Sequence, residues 1–561
     1  GIIPLNSSGF LVNGGYPLNN QIELYWTATV NYRHAVYPGL YRFPKNSREV
    51  NTQLYPDGFK VSNILNSWDL SGIAGARGKT NKGWNWEWNS IYGKNTNRQL
   101  SENTNNPSQQ FALGENAPVN FYGGSPSFTQ QTNTLIFSKD LAKKIGVVKT
   151  FNVGFGSEYR FEKYRTREGE LASWKNFDSA GRKLGGASGA LGISDSDVVN
   201  QNRRVAGLYV DLESDINDHL LINVAGRYEN YNDFGDNLSG KLSMRYKLSS
   251  AFALRGSISN SYHAPGLQQI YFSATGSGLR NVGGVSTPIR IGTFNNSSYI
   301  AKAFGIKPLT PEKALNLGAG FTSTLSSHIN ITIDGYWIQI KDRLVLSGRF
   351  DKDSNVYAAA VLLNYPDINQ VQFMTNAINT KSRGIDLVVN SNWKIRKADL
   401  KFLLAANLNR TTLFGPIQTT DKLPPDPLNK NINTLFNREE RVKMEKSQPG
   451  SKIILSATYA IGKFDFLIRG TRFGKTAYAY VSDNDSRDEF FSAKILTDIV
   501  MNYSPKKWLT ITTGANNVFN VYPNPLKNYL NTNEGILIYS NDSSPFGFNG
   551  GYYYLNMNFN F

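Results

Sequence analysis

The sequence predicts an all-β chain forming a transmembrane antiparallel β-barrel, about 22 strands when complete, with short periplasmic turns and long extracellular loops. Three observations predict it: apolar and polar residues alternate through successive segments, the composition is aromatic and Gly-rich but poor in charge, and connections are short at one strand end and long at the other. The chain has 561 residues with 50 Gly, 30 Tyr, 32 Phe and 9 Trp, and only 18% of residues are charged. Its mean hydropathy is negative, ordinarily the mark of a soluble protein. Strands that are apolar outside and polar inside give the same average while still facing lipid. No stretch approaches the ~18 to 20 uncharged apolar residues of a spanning helix, which excludes a helical membrane protein. The chain has no Cys, so disulfide frameworks, thiolate zinc sites and Cys nucleophiles are excluded together.

The chain opens Gly1-Ile2-Ile3-Pro4, with neither an initiator Met nor a basic, apolar signal peptide, and is read as a fragment of a longer precursor. The first clear strand runs from Ile22 to Tyr32. Ile22, Leu24, Trp26, Ala28, Val30 and Tyr32 share one face, and Glu23, Tyr25, Thr27, Thr29 and Asn31 the other. That length fits the ~9 to 11 residues a tilted strand needs to cross a bilayer. Trp84, Trp86 and Trp88 follow a turn at Asn81-Lys82-Gly83 and read as an interface girdle or as a ligand-stacking platform. Ile222, Val224, Gly226 and Tyr228 alternate with Asn223, Ala225 and Arg227; Ile329, Ile331, Ile333, Gly335 and Trp337 alternate with Asn330, Thr332, Asp334 and Tyr336. At the C-terminus Tyr553, Leu555, Met557, Phe559 and Phe561 oppose Tyr554, Asn556, Asn558 and Asn560.

Alternation alone also fits a soluble sandwich; connection lengths decide for the barrel. Short turns fall at Asn217-Asp218-His219, Leu248-Ser249-Ser250 and Ser326-Ser327-His328, whereas long polar stretches lie near Asn95–Gln131, Thr166–Asn202 and Pro265–Pro311. In an outer-membrane barrel the long loops are extracellular.

Several segments, in order, resemble the barrel of TonB-dependent outer-membrane receptors, particularly those of Bacteroidota. They are Leu254 to Pro265, ending Tyr262-His263-Ala264-Pro265, then Leu267 to Ser273; Leu309-Thr310-Pro311-Glu312 running on to Phe321; Tyr336 to Arg343; Asn376 to Leu387 around Gly384-Ile385-Asp386; and Gly514 to Asn520 with the terminal Phe561. The resemblance makes residues 1–561 a receptor barrel domain. It implies a terminal strand that pairs with the first, abolishing the sheet edges, and a Phe561 read by the barrel-assembly machinery. Family members also carry an N-terminal plug of about 150 residues and a TonB-contacting segment. Nothing here resembles either, so the plug and some of the first strands are expected to lie outside this chain.

The chain has four His. His219 and His328 sit in short turns and His34 reads as a solvated loop residue. His263 lies where haem receptors of the family place a motif paired with a second His in the following loop. No His occurs between Pro265 and Pro311, which argues against haem. No spacing fits a zinc site. Catalytic motifs are missing too: there is no Gly-x-Ser-x-Gly elbow, phosphate loop or His-Glu-x-x-His. Glu439-Glu440 reads as part of a charged, solvated loop, and Gly123-Gly124, Gly185-Gly186 and Gly283-Gly284 read as loop punctuation.

The net charge is +17, from 60 Lys and Arg against 43 Asp and Glu. These cations are scattered, often on polar strand faces (Arg227, Arg245, Arg255, Arg469), which argues against nucleic acid. A lumen lined by them would favour anionic solutes; lipopolysaccharide or an acidic plug surface are alternative partners for the charge.

The resulting expectation is no enzyme, no cofactor and no resident metal. It is TonB-dependent import of a scarce solute across the outer membrane, first an iron–siderophore-type chelate, with a peptide, oligosaccharide or cobalamin as alternatives. A structural scaffold barrel in a complex with other outer-membrane proteins is the competing class. By resemblance the partners are the TonB–ExbB–ExbD system, acting through the plug segment, and the outer-membrane lipid. The candidate substrate-binding residues are Tyr262, His263, Gln268 and Tyr271, at a strand end and the start of a long loop.

Overall fold

The computed structural model describes residues 4–560 apart from 147, 283–284, 354, 421, 423–434, 481–483, 533–534 and 536. Phe561 and the Gly283-Gly284 pair lie outside the described residues.

The strands are β1 Leu5–Asn19, β2 Ile22–Arg42, β3 Phe59–Lys79, β4 Asn85–Glu102, β5 Phe121–Asp140, β6 Asn152–Arg167, β7 Asn200–Asp215, β8 Leu220–Tyr231, β9 Gly235–Ser249, β10 Phe252–His263, β11 Ala274–Val282, β12 Val285–Phe294, β13 Glu312–Ser326, β14 Ile329–Leu346, β15 Phe350–Asp351, β16 Gln370–Ile395, β17 Ala398–Phe414, β18 Ser451–Ile461, β19 Phe464–Phe473, β20 Thr476–Tyr478, β21 Glu489–Phe491, β22 Lys494–Lys506, β23 Leu509–Asn516 and β24 Tyr552–Phe559. Among the described residues seven short α-helices lie between them: α1 Gln110–Leu113, α2 Ala142–Ile145, α3 Leu171–Trp174, α4 Leu267–Tyr271, α5 Tyr299–Ala303, α6 Val356–Val361 and α7 Arg438–Lys446.

The strands other than β20 and β21 belong to one 22-stranded sheet. The wall of the barrel is built by consecutive antiparallel pairing from β1 to β10, then β13, β14, β16, β17, β18, β19, β22, β23 and β24. Strands β11, β12 and β15 join it outside the wall: β11 pairs with β12, β12 runs parallel to the start of β16, and β15 pairs with that same start. No pairing between β1 and β24 is seen among the described residues.

Alternation sets the faces. On β7, Leu208 and Val210 are exposed outward at 60% and 43%, while Arg203, Gly207, Tyr209 and Asp211 line the interior. The Gly and Tyr excess has a cause in this lining. Tyr25, Tyr209, Tyr336 and Tyr554 stand directly opposite Gly75, Gly156, Gly384 and Gly514 on the neighbouring strand. Each ring lies across its glycine, where a Cβ would collide with it. Two of these rings reach further across the sheet: the Tyr25 hydroxyl donates to Glu87 at 2.6 Å, and Asn407 donates to the Tyr336 hydroxyl at 3.3 Å.

The three short turns lie where expected, between β7 and β8, β9 and β10, and β13 and β14. At the opposite end the stretch near Asn95–Gln131 is shorter than expected. Strands β4 and β5 stay paired well above the bilayer, leaving only 103–120 as connection. The connection 232–234 between β8 and β9 is also short at this end. Other long loops carry elements of their own among the described residues. Residues 264–311 hold α4, β11, β12 and α5, and with β15, α6 and the first part of β16 they build an extracellular core around Phe304, Phe350 and Phe373. The rings of Phe304 and Phe373 are 5.5 Å apart and both are fully buried. Alternation along Val371, Phe373, Thr375 and Ala377 buries one face of β16 in this cap before the strand enters the wall. Fully burying such side chains is worth roughly 1.5–3 kcal/mol each, which explains why long loops form a layer here instead of a fringe.

Three further expectations are corrected. His34 lies inside β2, not in a loop, and its Nδ1 is 2.7 Å from Asn66 Oδ1 on β3. Glu439-Glu440 belong to α7: the Asn437 side chain accepts from the Glu440 N–H at 3.1 Å, with acids in the first turn and Lys443 and Lys446 in the last. That is a capped helix with charges matched to its dipole. Gly123-Gly124 sit at a register shift in β5 rather than in a loop.

Candidate functional site: the barrel mouth and its cap

The inner wall carries an ion-pair ladder rising to the mouth. On β6, Glu158, Arg160 and Glu162 alternate onto the interior face; Arg160 donates to Glu162 at 2.9 Å and to Glu158 at 3.0 Å. From β8, Arg227 reaches Glu229 at 2.9 Å and crosses Gly207 to Glu158 at 3.3 Å. From β7, Arg203 contacts Glu162 at 3.5 Å and Asp233 at 2.8 Å. The expectation of a basic, anion-favouring lumen is not met at the residues that motivated it. Arg227 is paired as above, Arg245 faces Asp215 at 3.8 Å, Arg255 pairs with Asp334, and Arg469 pairs with Asp498 at 2.8 Å. Unpaired charges in a narrow wall repel, and cross-strand carboxylates remove that cost. On the wall of β1–β5 a recess of about 760 Å³ has its charge paired in the same way: Arg33 donates to Asp69 at 2.7 Å, and Asn95 also donates to Asp69, at 2.6 Å.

At the top of the ladder, Arg203 is nearly fully buried and anchors the loop after β10. It donates to the Pro265 carbonyl at 2.7 Å and to Asp233 at 2.9 Å, with its guanidinium over the rings of Tyr231 and Phe234. Because the β8–β9 connection is short, residues from Ala264 onward fold across it, and α4 comes to rest over β6 and β7. The four candidate residues therefore separate. Tyr262 packs against Tyr231, ring centroids 5.7 Å apart, in a cluster with Val205 and Ala264, and its buried hydroxyl has no hydrogen-bond partner. His263 turns to the neighbouring strand, its Nδ1 3.0 Å from Glu312. Gln268 is exposed and Tyr271 half-buried on α4; Gln269, not Gln268, accepts the Gly266 N–H at 2.8 Å. Sequence reasoning missed Arg203, Glu162 and Asp233. The signal was weak: one Arg of an Arg-Arg pair and an Asp before Phe-Gly.

Above the mouth the loops form two assemblies. One packs 43–58, 103–120 and 168–199 around Val50, Phe59 and Val61. Asn51, Asn105 and Asn106 tie its polar interior together: the Asn51 N–H donates to the Asn105 side chain at 2.7 Å, and Thr104 donates to the Ser188 carbonyl at 2.7 Å. The second is the Phe304 core. They meet where β12 delivers Arg290 to the Gly185 carbonyl, and where Asn176 donates to Asp367 at 3.3 Å. At this junction Arg42 lies 3.5 Å from Glu49, both almost wholly buried. Burial holds the Glu49 carboxyl above its usual range despite the Arg42 and Arg290 charges, and pushes Arg290 below its own. Rings with cations over them project from the first assembly: the Arg182 guanidinium sits 3.7 Å over Phe111.

Trp84, Trp86 and Trp88 fall at the short-turn rim, far from this cap. Lys139 lies over Trp84, which packs edge-on against Phe155. His328 stacks on Trp393 at 4.5 Å at the same rim. Among the described residues no three His, Cys, Asp or Glu side chains are grouped to hold a metal ion, and no helix is long and apolar enough to cross a membrane.

Comparison with known proteins accords with this geometry. The siderophore receptor PirA from Acinetobacter baumannii has 14% identity and a TM-score of 0.60, over 100% of this chain and 71% of that one. A mutant of the ferric enterobactin receptor PfeA from Pseudomonas aeruginosa has 14% identity and a TM-score of 0.59, over 93% of this chain and 65% of that one. The ferric-catecholate import receptor Fiu from K12 E. coli has 11% identity and a TM-score of 0.58, over 100% of this chain and 75% of that one. At such identities the likeness is one of fold. No curated protein matches the chain by sequence. The profile described as TonB dependent receptor-like, beta-barrel matches residues 8–518. The paired polar lumen, the short-turn and long-loop ends and this match lead to one conclusion: the chain belongs to the TonB-dependent receptor β-barrel family of the bacterial outer membrane.

Proposed function

We propose that the chain is the barrel of an active importer of the Bacteroidota type, which captures a scarce solute at its extracellular cap. TonB-delivered energy then releases that solute by moving a plug carried by chain outside residues 1–561. The observation that carries this reading is the cap itself. Loops with their own buried core and an anchored entry at Arg203 suit selective capture of a dilute ligand, whereas free diffusion needs an open mouth. The reading of a barrel completed elsewhere draws on the wall: successive antiparallel pairings leave β1 and β24 running in the same direction. An all-antiparallel closure then takes an odd number of further strands.

An iron–siderophore-type chelate is the first cargo to test, since the similar structures named above are receptors for such ligands. Gln268 and Tyr271 offer accessible contacts beside the anchored turn, whose shape Tyr262 sets by packing on Tyr231. Deleting the gene should slow growth on ferric chelates as sole iron source, and complementation should restore it. Joint replacement of Tyr262, His263, Gln268 and Tyr271 by Ala should weaken chelate binding by about ten-fold or more, roughly the 1.4 kcal/mol that one or two lost hydrogen bonds represent. Normal uptake by the deletion strain would overturn the cargo, and unchanged affinity would overturn the residues.

A further inference from the structure

The rim of short turns carries a feature that solute capture does not use. Hairpins β16–β17, β18–β19 and β22–β23 are neighbours along the wall. Their turns and the residues bordering them present Arg396, Lys397, Lys463, Lys506 and Lys507, all exposed; the acids nearest to them, Asp399 and Asp465, lie inside the strands, and Asp399 stands opposite Lys394 on the interior face. Turns two strands apart stand about 10 Å from each other, close to the Debye length at physiological salt, so their fields add. Directly beside them runs a belt of rings. Trp393 is stacked on His328, Phe464 lies 4.8 Å from Tyr503, and Trp508 is 6.2 Å from Phe559. Trp393, Phe464 and Trp508 are each about half exposed, on the lipid side of the strand ends.

A second, independent observation concerns the backbone. Arg396 has a φ of 55°; the other described non-glycine residues with positive φ are Asn103, Asp342, Asn517 and Asn520, whose short side chains tolerate it. At the tip of a two-residue hairpin, Gly or Asn would sit there with less strain. A guanidinium is kept at the site against a local cost, which points to a use for its charge.

We propose that this arc is a docking surface for anionic phospholipid headgroups of the periplasmic leaflet. The phosphate diester oxygens accept hydrogen bonds from these five cations while the acyl chains lie along the aromatic belt. The proposal rests on the reading of the short turns as the periplasmic rim. Cations at that depth hold the barrel at a fixed height, giving a plug and its energising partner a constant frame.

The test titrates the purified protein in detergent with dioctanoyl phosphatidylglycerol and, separately, dioctanoyl phosphatidylcholine, counting bound lipids by native mass spectrometry. Phosphatidylglycerol should bind about ten-fold more tightly or better, with the preference collapsing as NaCl rises from about 50 to about 500 mM. The preference should also vanish in R396N/K397Q/K463Q/K506Q/K507Q, and fall in K463Q/K506Q/K507Q, which leaves the strained turn untouched and guards against misfolding of the larger variant. Equal binding of the two lipids by the native protein would overturn the proposal. So would complete displacement by inorganic phosphate, which would make the arc a free-anion site, or a preference for polyglutamate without one for phosphatidylglycerol, which would assign it to an acidic protein. Orientation is checked separately. The chain has no Cys, so Lys463→Cys labelled on intact cells by a membrane-impermeant maleimide would place this rim outside. Loss of the import reading alone would leave the lipid preference unchanged.

Discussion

Arg396 illustrates how much a single backbone angle decides. A left-handed conformation costs a non-glycine residue roughly 1–2 kcal/mol, less for Asn. Arg396→Asn should therefore stabilise the hairpin by about 0.5–1 kcal/mol, read as slower unfolding of the detergent-solubilised protein in guanidinium. Unchanged unfolding would mean the turn relaxes freely around Arg. The same scale explains what the sequence hid at the mouth. Tyr262 and His263 are adjacent and read as one motif. Strand alternation separates them: Tyr262 packs on Tyr231, and His263 faces Glu312. Nothing in the spelling of Tyr-His-Ala-Pro says that Arg203, some sixty positions away, would hold the Pro265 carbonyl. That contact exists because the β8–β9 connection is short enough to be crossed.

At the scale of the strand, glycines act as channels for long side chains. Arg255 on β10 and Asp334 on β14 are not neighbours; Gly320 on the intervening β13 lies in register with both. The pair forms only because Gly320 has no side chain, and a methyl there would overlap the Asp334 carboxylate. Gly320→Ala should destabilise the wall by about 1–3 kcal/mol through this overlap, while the half-exposed ion pair itself contributes only about 0–1 kcal/mol. The same methyl would also meet the Ile333 carbonyl, so in a cycle with Asp334→Ala removing the carboxylate should suppress only part of the Ala cost. Additive effects would place the strain in the backbone instead. Strand existence was legible in the sequence because alternation is a local signal, as at Ile22–Tyr32 and Ile329–Trp337. Strand length was not. β4 and β5 extend beyond the bilayer through polar residues such as Asn97 and Gln99 that find partners on the neighbouring strand or in the cap, so polarity there resembled a loop. α7 was hidden for a similar reason: a run of charges looks solvated until its Asn437 cap and dipole matching are seen.

At the scale of the whole molecule, the cap is two loop assemblies joined around Arg42, Glu49 and Arg290. Burial raises the Glu49 carboxyl above its unfolded value, so the folded junction binds that proton more tightly than the open one. Linkage then fixes the sign: the stabilisation is complete below the unfolded carboxyl value of about 4.3 and is lost as pH climbs through the raised folded value. Hydrogen exchange in 43–58, corrected for its intrinsic pH dependence, should accordingly slow as pH falls from neutrality toward that value, and Glu49→Gln should abolish the trend. Protection that rises with pH would show that the Arg42 and Arg290 charges dominate instead. The net charge of +17 also changes meaning at this scale. Inside the wall the guanidiniums of Arg160, Arg203 and Arg227 are matched by Glu158, Glu162, Glu229 and Asp233, whereas the arc of short turns is left basic.

The sequence by itself determined that this chain is a barrel, which end bears the short turns and where many of its strands run. Each of these is written in side-chain period and turn chemistry, properties of residues a few positions apart. Only the tertiary structure decided which Arg meets which carboxylate, which glycine a tyrosine crosses, and that the loops share a buried core. Those contacts join residues tens to more than a hundred positions apart, and their partners are chosen by sheet register and strand order, which no local pattern encodes.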